Sequence, residues 1–186
     1  MLLFLNDDTE PITPDWLTAL VELGVRPEVG AVGAKLLYPN GSIQHAGVIL
    51  GPWNACGHAF KGLNGAVSHY FGFSNVIRNV SAVTAACLLV RAEVFREVGG
   101  FDERRFAIAY NDVDLCLRIG RKGYRVLYTP HALLYHREAY SKSARDYHPH
   151  PNEMSALRET WSDAIASDPF YSPNLSRDSE DYACRR

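Results

Sequence analysis

The chain has 186 residues, of which 47% are hydrophobic and 22% charged, and its formal net charge is -2. That length supports one ordinary domain with a real core, and the balance is that of a soluble globular protein rather than a disordered one. A sequence pI near 6.4 supplies no overall basic field for nucleic acid, and no apolar run reaches the roughly 18 to 20 residues that a membrane-spanning helix needs.

The chain opens on Met1-Leu2-Leu3-Phe4-Leu5, a short apolar run that reads as a buried strand and meets a polar turn at Asn6-Asp7-Asp8-Thr9-Glu10. It lacks the basic flank and small-residue cleavage site of a signal peptide. Thr13-Pro14-Asp15 then has the form of a helix start, with a capping hydroxyl, proline at the first helical position and an early acid. Trp16, Leu17, Leu20, Val21 and Leu23 give the apolar face, and Gly24 is the expected terminator.

Two strand-like runs, Gly30 to Tyr38 and Ser42 to Leu50, flank Pro39-Asn40-Gly41, a strong hairpin signal. Gly51 to Asn75 is rich in glycine and aromatics without periodicity and is expected to be a long loop. Val80 to Val90 reads as a strand and Ala92 to Val98 as a short helix ending at Gly99-Gly100. Asn111 to Lys122 reads as a helix, and Tyr124 to His136 as a strand pair or a bent strand broken at Thr129-Pro130. A helix near Pro151 to Ala166 precedes the polar stretch 168–186, expected to be a surface arm or disordered. The mixture predicts an α/β or α+β domain.

The four cysteines, Cys56, Cys87, Cys116 and Cys184, form no Cys-x-x-Cys pair, so a zinc ribbon or redox motif is not indicated. Cys87 and Cys116 sit in apolar patterns as small hydrophobes, and a reduced, cytoplasmic setting is the simpler reading.

Three constellations can carry chemistry. Asn6-Asp7-Asp8 follows a strand, at the sheet edge where open α/β folds bind ligands. Adjacent acids there suit a hard divalent cation that also holds substrate phosphates, or else form an Asx-turn with solvated carboxylates. Asn111-Asp112-Val113-Asp114 opens a helix, where acids meet the dipole favourably. Asp114 can pair with Arg118 four residues on and is assigned a structural role, while Asp112 is left to accept a proton if a cleft lies there. His136 ends an apolar run and is either a satisfied core group or a metal or phosphate contact. His45, His58 and His69 lack zinc-site spacing.

Together these segments resemble family 2 glycosyltransferases of the GT-A fold, in particular bacterial enzymes of surface-polysaccharide and O-antigen synthesis. The resemblance rests on Leu5-Asn6-Asp7-Asp8-Thr9, on the run from Ser81-Ala82-Val83-Thr84-Ala85-Ala86-Cys87 to Phe95, on Val98-Gly99-Gly100-Phe101-Asp102, and most strongly on Asn111-Asp112-Val113-Asp114-Leu115-Cys116-Leu117-Arg118. Gly123-Tyr124-Arg125, Tyr135-His136-Arg137-Glu138 and the segment Asp168-Pro169-Phe170-Tyr171-Ser172-Pro173-Asn174-Leu175 extend it over essentially the whole chain.

The resemblance implies a partial GT-A fold, a mixed sheet flanked by helices, with residues 1–167 forming the metal-binding, acceptor-binding and catalytic part and 168–186 a surface tail. It implies that Asp8 is the ligand to Mg²⁺ or Mn²⁺ on the donor diphosphate, that Asp7 helps hold the ribose or metal waters, and that His136 contacts metal or diphosphate. Asn6 stands where the family's Asp-x-Asp motif has its first acid. Asp112 matches the catalytic base, and Asn111, where many members have Glu, faces the acceptor. Trp53, with Phe60, Tyr70 and Phe71, would stack on sugar rings of the acceptor or simply pack on the domain. The implied partners are a nucleotide-diphosphate sugar donor and a saccharide or lipid-linked saccharide acceptor, with no nucleic acid. The implied setting is the cytoplasm, with peripheral association at the inner face of the plasma membrane open. A complete GT-A domain places a nucleotide-binding half ahead of the Asp-x-Asp turn. With Met1 already in the strand leading to that turn, the expectation is a truncated chain that binds nucleotide-sugar poorly alone.

A sugar nucleotidyltransferase would want a glycine-rich basic phosphate loop, which this sequence lacks. A non-catalytic carbohydrate-binding remnant is the other alternative, separable by assaying sugar transfer. A zinc hydrolase is remote without a His-Glu-x-x-His run.

Overall fold

The computed structural model describes residues 1–137 and 150–185. Its strands are β1 (Leu2–Leu5), β2 (Thr9–Pro11), β3 (Val29–Leu37), β4 (Ile43–His45), β5 (Val48–Leu50), β6 (Cys56–His58), β7 (Arg78–Asn79), β8 (Cys87–Val90) and β9 (Arg125–His136). Its helices are α1 (Trp16–Gly24), α2 (Ala92–Glu97), α3 (Asn111–Arg121), α4 (Pro151–Thr160) and α5 (Ser162–Ala166).

The main sheet runs β1-β8-β3-β9-β2, with β4 paired to β3 and β7 to β9. It is mixed: β3 and β9 are parallel and the other pairs antiparallel. Alternation divides the sheet into two buried faces. Val32, Ala34, Leu36, Leu89 and Leu127 pack with Leu20 and Leu23 of α1 on one face. Ala31, Leu88, Val90, Val126 and Tyr128 belong to the larger core that includes Val113, Leu115, Cys116 and Ile119 of α3 on the other. The α/β architecture, a mixed sheet flanked by helices, is therefore the one the resemblance implies.

β9 is one bent strand. Ala34 and Lys35 are consecutive in β3, whereas their partners Thr129 and Leu133 are four apart, so β9 carries three extra residues at Pro130-His131-Ala132. An odd insertion exchanges the two faces. Val126 and Tyr128 accordingly face the α3 side before it, while Ala132 and Leu134 face the α1 side after it. The bulge thus sets the direction in which His136 emerges.

Other expectations are revised. Thr13 does not cap α1; its hydroxyl donates to His131 O at 3.0 Å and accepts from Leu133 N at 3.1 Å, satisfying the backbone of the bulge. The segment Gly51 to Asn75 is not wholly loop, because β6 pairs β5 from Val48↔His58 to Leu50↔Cys56. Of the run Val80 to Val90, only Cys87–Val90 is regular strand. Val83 instead lies against Gly33, where any Cβ would come within 2.4 Å of the valine Cβ. Residues 80–86 consequently turn across the sheet, and their backbone groups bond to several elements rather than to one ladder.

The reading of 168–186 as a surface tail is corrected for the residues described there. Tyr171, Leu175 and Tyr182 are buried, as is Asp168. Tyr182 stacks on Phe60 at 4.5 Å between centroids, and Phe60 N donates to Glu180 O at 2.7 Å. The apolar residues of this segment follow no helix or strand period, so only tertiary contact reveals that they belong to the core. The same stacking removes Phe60 from the candidate sugar-binding aromatics, since its ring is fully buried.

Candidate functional site

β1 delivers Asn6 beside the turn that feeds β8. Leu5 pairs with Cys87, and Asn6 N continues the ladder by donating to Ala86 O at 3.0 Å. The chain reverses, and β2 then sets Thr9 opposite His136. Arg137 N donates to Asp8 O at 3.0 Å, which fixes the Asp8 backbone against the end of β9.

The side chains meet at that corner. Asp8 Oδ1 lies 3.0 Å from His136 Nε2, and Asn6 Nδ2 lies 3.1 Å from the same nitrogen. On the other side of the ring, Nδ1 is 2.7 Å from Gln44 Oε1. An amide oxygen only accepts, so Nδ1 carries the proton and donates to it. In the neutral ring the lone pair of Nε2 accepts from Asn6 Nδ2, with Asp8 Oδ1 beside that contact, whereas a protonated ring would donate from Nε2 to Asp8. His136 is largely buried while Asp8 is partly open to solvent. Asp7 is exposed beside them.

Asp112 is linked to this corner through the turn that feeds β8. It stands in the first turn of α3, whose N-cap Tyr110 has φ 61°, a left-handed conformation that is uncommon for an aromatic residue. Such a backbone stores about 1–3 kcal/mol, and the packing around it must hold it in place. Asp112 Oδ2 accepts from Ala85 N at 3.0 Å and Oδ1 from Val113 N at 2.8 Å. Because the next residue, Ala86, carries the carbonyl that receives Asn6 N, adjacent peptides of one turn join Asp112 to Asn6 and, through the Asn6 side chain, to His136. Asp8 and His136 thus share one corner of the sheet, and Asp112 is linked to it through the turn at Ala85-Ala86 and Asn6.

Asp114 points away from this corner. Its buried carboxylate pairs with Arg118 at 2.7 Å and accepts from Trp161 Nε1 at 3.0 Å. It fastens α3 to the turn between α4 and α5, the structural role assigned from its spacing. Asn111 is partly exposed at the helix start. Trp53 is 53% exposed at the tip between β5 and β6, with φ 52°. Arg158 of α4 donates to Trp53 O at 3.1 Å and to Asn54 O at 2.8 Å, fixing that tip. Phe71 is 97% exposed.

Surface clefts of about 410 Å³, lined by residues 98–105 and Arg118, and about 330 Å³, around Met1, Gly24 and Arg91, contain none of these residues. Cys56, Cys87 and Cys116 are free thiols pushed up to about 12, chiefly by burial, so they are inert. Gln44 lay in no motif, and Ala85 lay in a segment of the resemblance that assigned its amide no role. The one available signal for Gln44 was a polar residue inside the apolar run Ile43 to Leu50. Glu138 of the resemblance lies outside the described residues. Among the described residues no helix is long and apolar enough to cross a membrane.

Residues 1–148 match the family described as Glycosyl transferase family group 2. The chain is 43% identical over 188 residues to the O-antigen biosynthesis protein RfbC of Myxococcus xanthus, covering 100% of this chain and 15% of that protein. It is 42% identical over 182 residues to the uncharacterized protein y4gI of Sinorhizobium fredii, covering 95% of this chain and 20% of the relative. An N-acetylglucosaminyl-diphospho-decaprenol L-rhamnosyltransferase of Mycobacterium tuberculosis is 34% identical over 158 residues, 73% of this chain and 51% of the relative. The chain therefore spans a fifth or less of the first two relatives and about half of the third. A match over most of its length places the chain in glycosyltransferase family 2.

Proposed function

We propose that this chain carries the acceptor-activating and metal-binding part of an inverting glycosyltransferase that moves a sugar from a nucleoside-diphosphate donor to an acceptor hydroxyl in bacterial surface-polysaccharide synthesis. The observation that supports the reading is the corner at which Asp8 Oδ1 and His136 Nε2 lie 3.0 Å apart, linked to Asp112 through Asn6 and the turn at Ala85-Ala86. A carboxylate and an imidazole nitrogen so close share a positive charge, which either a proton on the ring or a bound cation would supply. One carboxylate oxygen and one imidazole nitrogen suit Mn²⁺ and, less well, Mg²⁺, leaving the other positions to diphosphate oxygens and water. A divalent cation there would offset the charge that grows on the leaving diphosphate.

Asp112 is the base. The acceptor oxygen attacks the anomeric carbon as the bond from that carbon to the diphosphate breaks, and the hydroxyl proton passes to the Asp112 carboxylate. The Ala85 amide holds that carboxylate in one orientation, which saves the cost of ordering it during reaction. A single displacement of this kind inverts the anomeric carbon. Trp53, exposed on a fixed tip, and Asn111 beside the base would receive the acceptor saccharide, whether free or lipid-linked at the inner membrane face. RfbC and the rhamnosyltransferase, named for O-antigen synthesis and for transfer onto a decaprenol-linked sugar, support that acceptor class.

The test is transfer of labelled sugar from a panel of sugar nucleotides, with Mn²⁺ or Mg²⁺, comparing the chain with Asp112→Asn. Metal-dependent transfer lost in the variant supports the reading. Binding of saccharide without transfer from any donor would instead mark a carbohydrate-binding remnant.

A further inference from the structure

Three consecutive residues of the turn into β8 each bond to a different part of the candidate site. Ala85 N holds Asp112, Ala86 O takes Asn6 N, and Thr84 N points to Nε2 of His45 at 3.4 Å. The same Nε2 receives Gly47 N at 3.2 Å. Backbone amides only donate, so Nε2 of His45 has no proton and Nδ1 must carry it. That proton goes to Nδ1 of His58, 2.8 Å away, and the tautomers of both rings are set from the backbone outward.

His45 is fully buried, and a buried imidazole is held neutral by its surroundings. Its place is tightly built. Gly47 has φ 95°, and a Cβ there would come within 2.8 Å of Val80 Cγ1, so only glycine can turn its amide back to the ring two residues earlier. Gly47 O accepts from Ala59 N at 2.9 Å, which ties this turn to the residue after β6. The opposite flank of the turn into β8 is held by α3, whose Cys116 Sγ lies 3.7 Å from Val83 O.

We infer that His45, backed by His58, is a positioning residue for the base: it fixes the turn at Thr84 so that the next amide, Ala85 N, meets the Asp112 carboxylate. The role in transfer rests on the function proposed above; the mechanical coupling does not.

The test therefore reads both. His45→Phe fills the space without an acceptor, and His45→Gln keeps an acceptor near the position of Nε2. Amide hydrogen exchange at Ala85 should quicken by about tenfold or more in His45→Phe and stay within about threefold in His45→Gln, with Leu88 in β8 unchanged in both. In transfer assays His45→Phe should lower kcat while leaving KM for the sugar nucleotide unchanged, and His45→Gln should restore most of it. Equal effects of the two substitutions, or unaltered Ala85 exchange in His45→Phe, would overturn the inference. Should His45→Phe fail to fold, imidazole ¹⁵N spectra of the unaltered chain decide: the Nδ1–H tautomer of His45 is required, and the Nε2–H tautomer defeats it. If Asp112→Asn transfers sugar normally, the base assignment falls, while the exchange result still decides whether His45 governs the turn.

Discussion

Asp8 Oδ1 and His136 Nε2 stand 3.0 Å apart, brought together because β2 pairs Thr9 directly with His136 at the end of β9. The proton on the far side of the ring is committed to Gln44, so a cation would bind at Nε2 in place of the contact from Asn6 Nδ2. Addition of Mn²⁺ should therefore broaden the His136 imidazole resonances selectively, through proximity to a paramagnetic ion, while those of the buried His45 broaden less. Asp8→Ala should weaken that effect by about tenfold or more in Mn²⁺ concentration, since half of the protein donor set is gone. Uniform broadening of all histidines would remove the metal assignment.

The two members of this pair differ in what they support. Asp8 is partly exposed, and its loss should leave Tm nearly unchanged. His136→Ala removes a buried ring and the hydrogen bond it donates to the buried Gln44, and the hydrogen bond alone is worth about 0.5–1.5 kcal/mol. Thermal unfolding of the two variants should separate them, the histidine variant melting several degrees lower.

Asp112 and Asp114 are two residues apart yet should respond oppositely. Asp112→Asn keeps one oxygen for Ala85 N and gives up the acceptor for Val113 N, a loss of about 1 kcal/mol that the fold tolerates, while transfer should drop about 10²–10⁴-fold with the base removed. Asp114→Asn leaves Arg118 without its carboxylate and should cost roughly 3–5 kcal/mol, nearer the lower figure because Arg118 retains 21% exposure. Denaturant melts and transfer rates measured on both variants would show the crossing, and a destabilised Asp112→Asn with normal turnover would reverse the assignments.

Much of this corner is written locally. An apolar run ending in Asn6-Asp7-Asp8, the Pro39-Asn40-Gly41 hairpin and the Asp114–Arg118 spacing each act over a few residues, and each has its structural counterpart in β1, in the β3–β4 pair and in α3. What could not be read were contacts made by groups without a pattern. Residues 80–86 look like a strand because they are apolar, but Val83 fills the space left by Gly33 and turns the backbone toward α3. Gln44 and the Ala85 amide act on His136 and Asp112 from distant parts of the chain. The stretch after Asp168 is polar in composition, yet Tyr171, Leu175 and Tyr182 find the core at irregular intervals.

That last segment is expected to carry stability. Asp168 accepts from Leu50 N at 2.7 Å and from Ser81 Oγ at 2.6 Å, and Arg78 lies over the rings of both Tyr182 and Tyr128. Tyr182→Ala empties a buried aromatic site and should cost about 3–5 kcal/mol, as other large-to-small core changes do. Because Glu180 Oε1 accepts from His58 N at 2.6 Å, exchange at the His58 amide should rise in the same variant. An unchanged Tm would return the segment to the surface.

The buried His45 gives stability a definite pH dependence. Burial, then the neighbouring His58, Arg78 and His136, hold its pKa well below the ordinary 6.5. The folded ring therefore stays neutral where the unfolded ring takes up a proton, so the unfolded state binds more protons in that window. Its contribution is intact above about pH 6.5 and is lost as pH falls from there toward the depressed folded value, at up to about 1.4 kcal/mol per pH unit. Asp168 and Glu180, whose carboxyls burial pushes up, have the opposite slope in the acid range, since the folded state holds those protons more tightly. Comparing the chain with His45→Phe cancels their shared contribution. Urea midpoints taken from pH 7.5 to pH 5 should fall less steeply in the variant, by the slope of one proton. Parallel curves would mean that His45 is protonated in the folded chain, and Gly47 N would then have lost its acceptor.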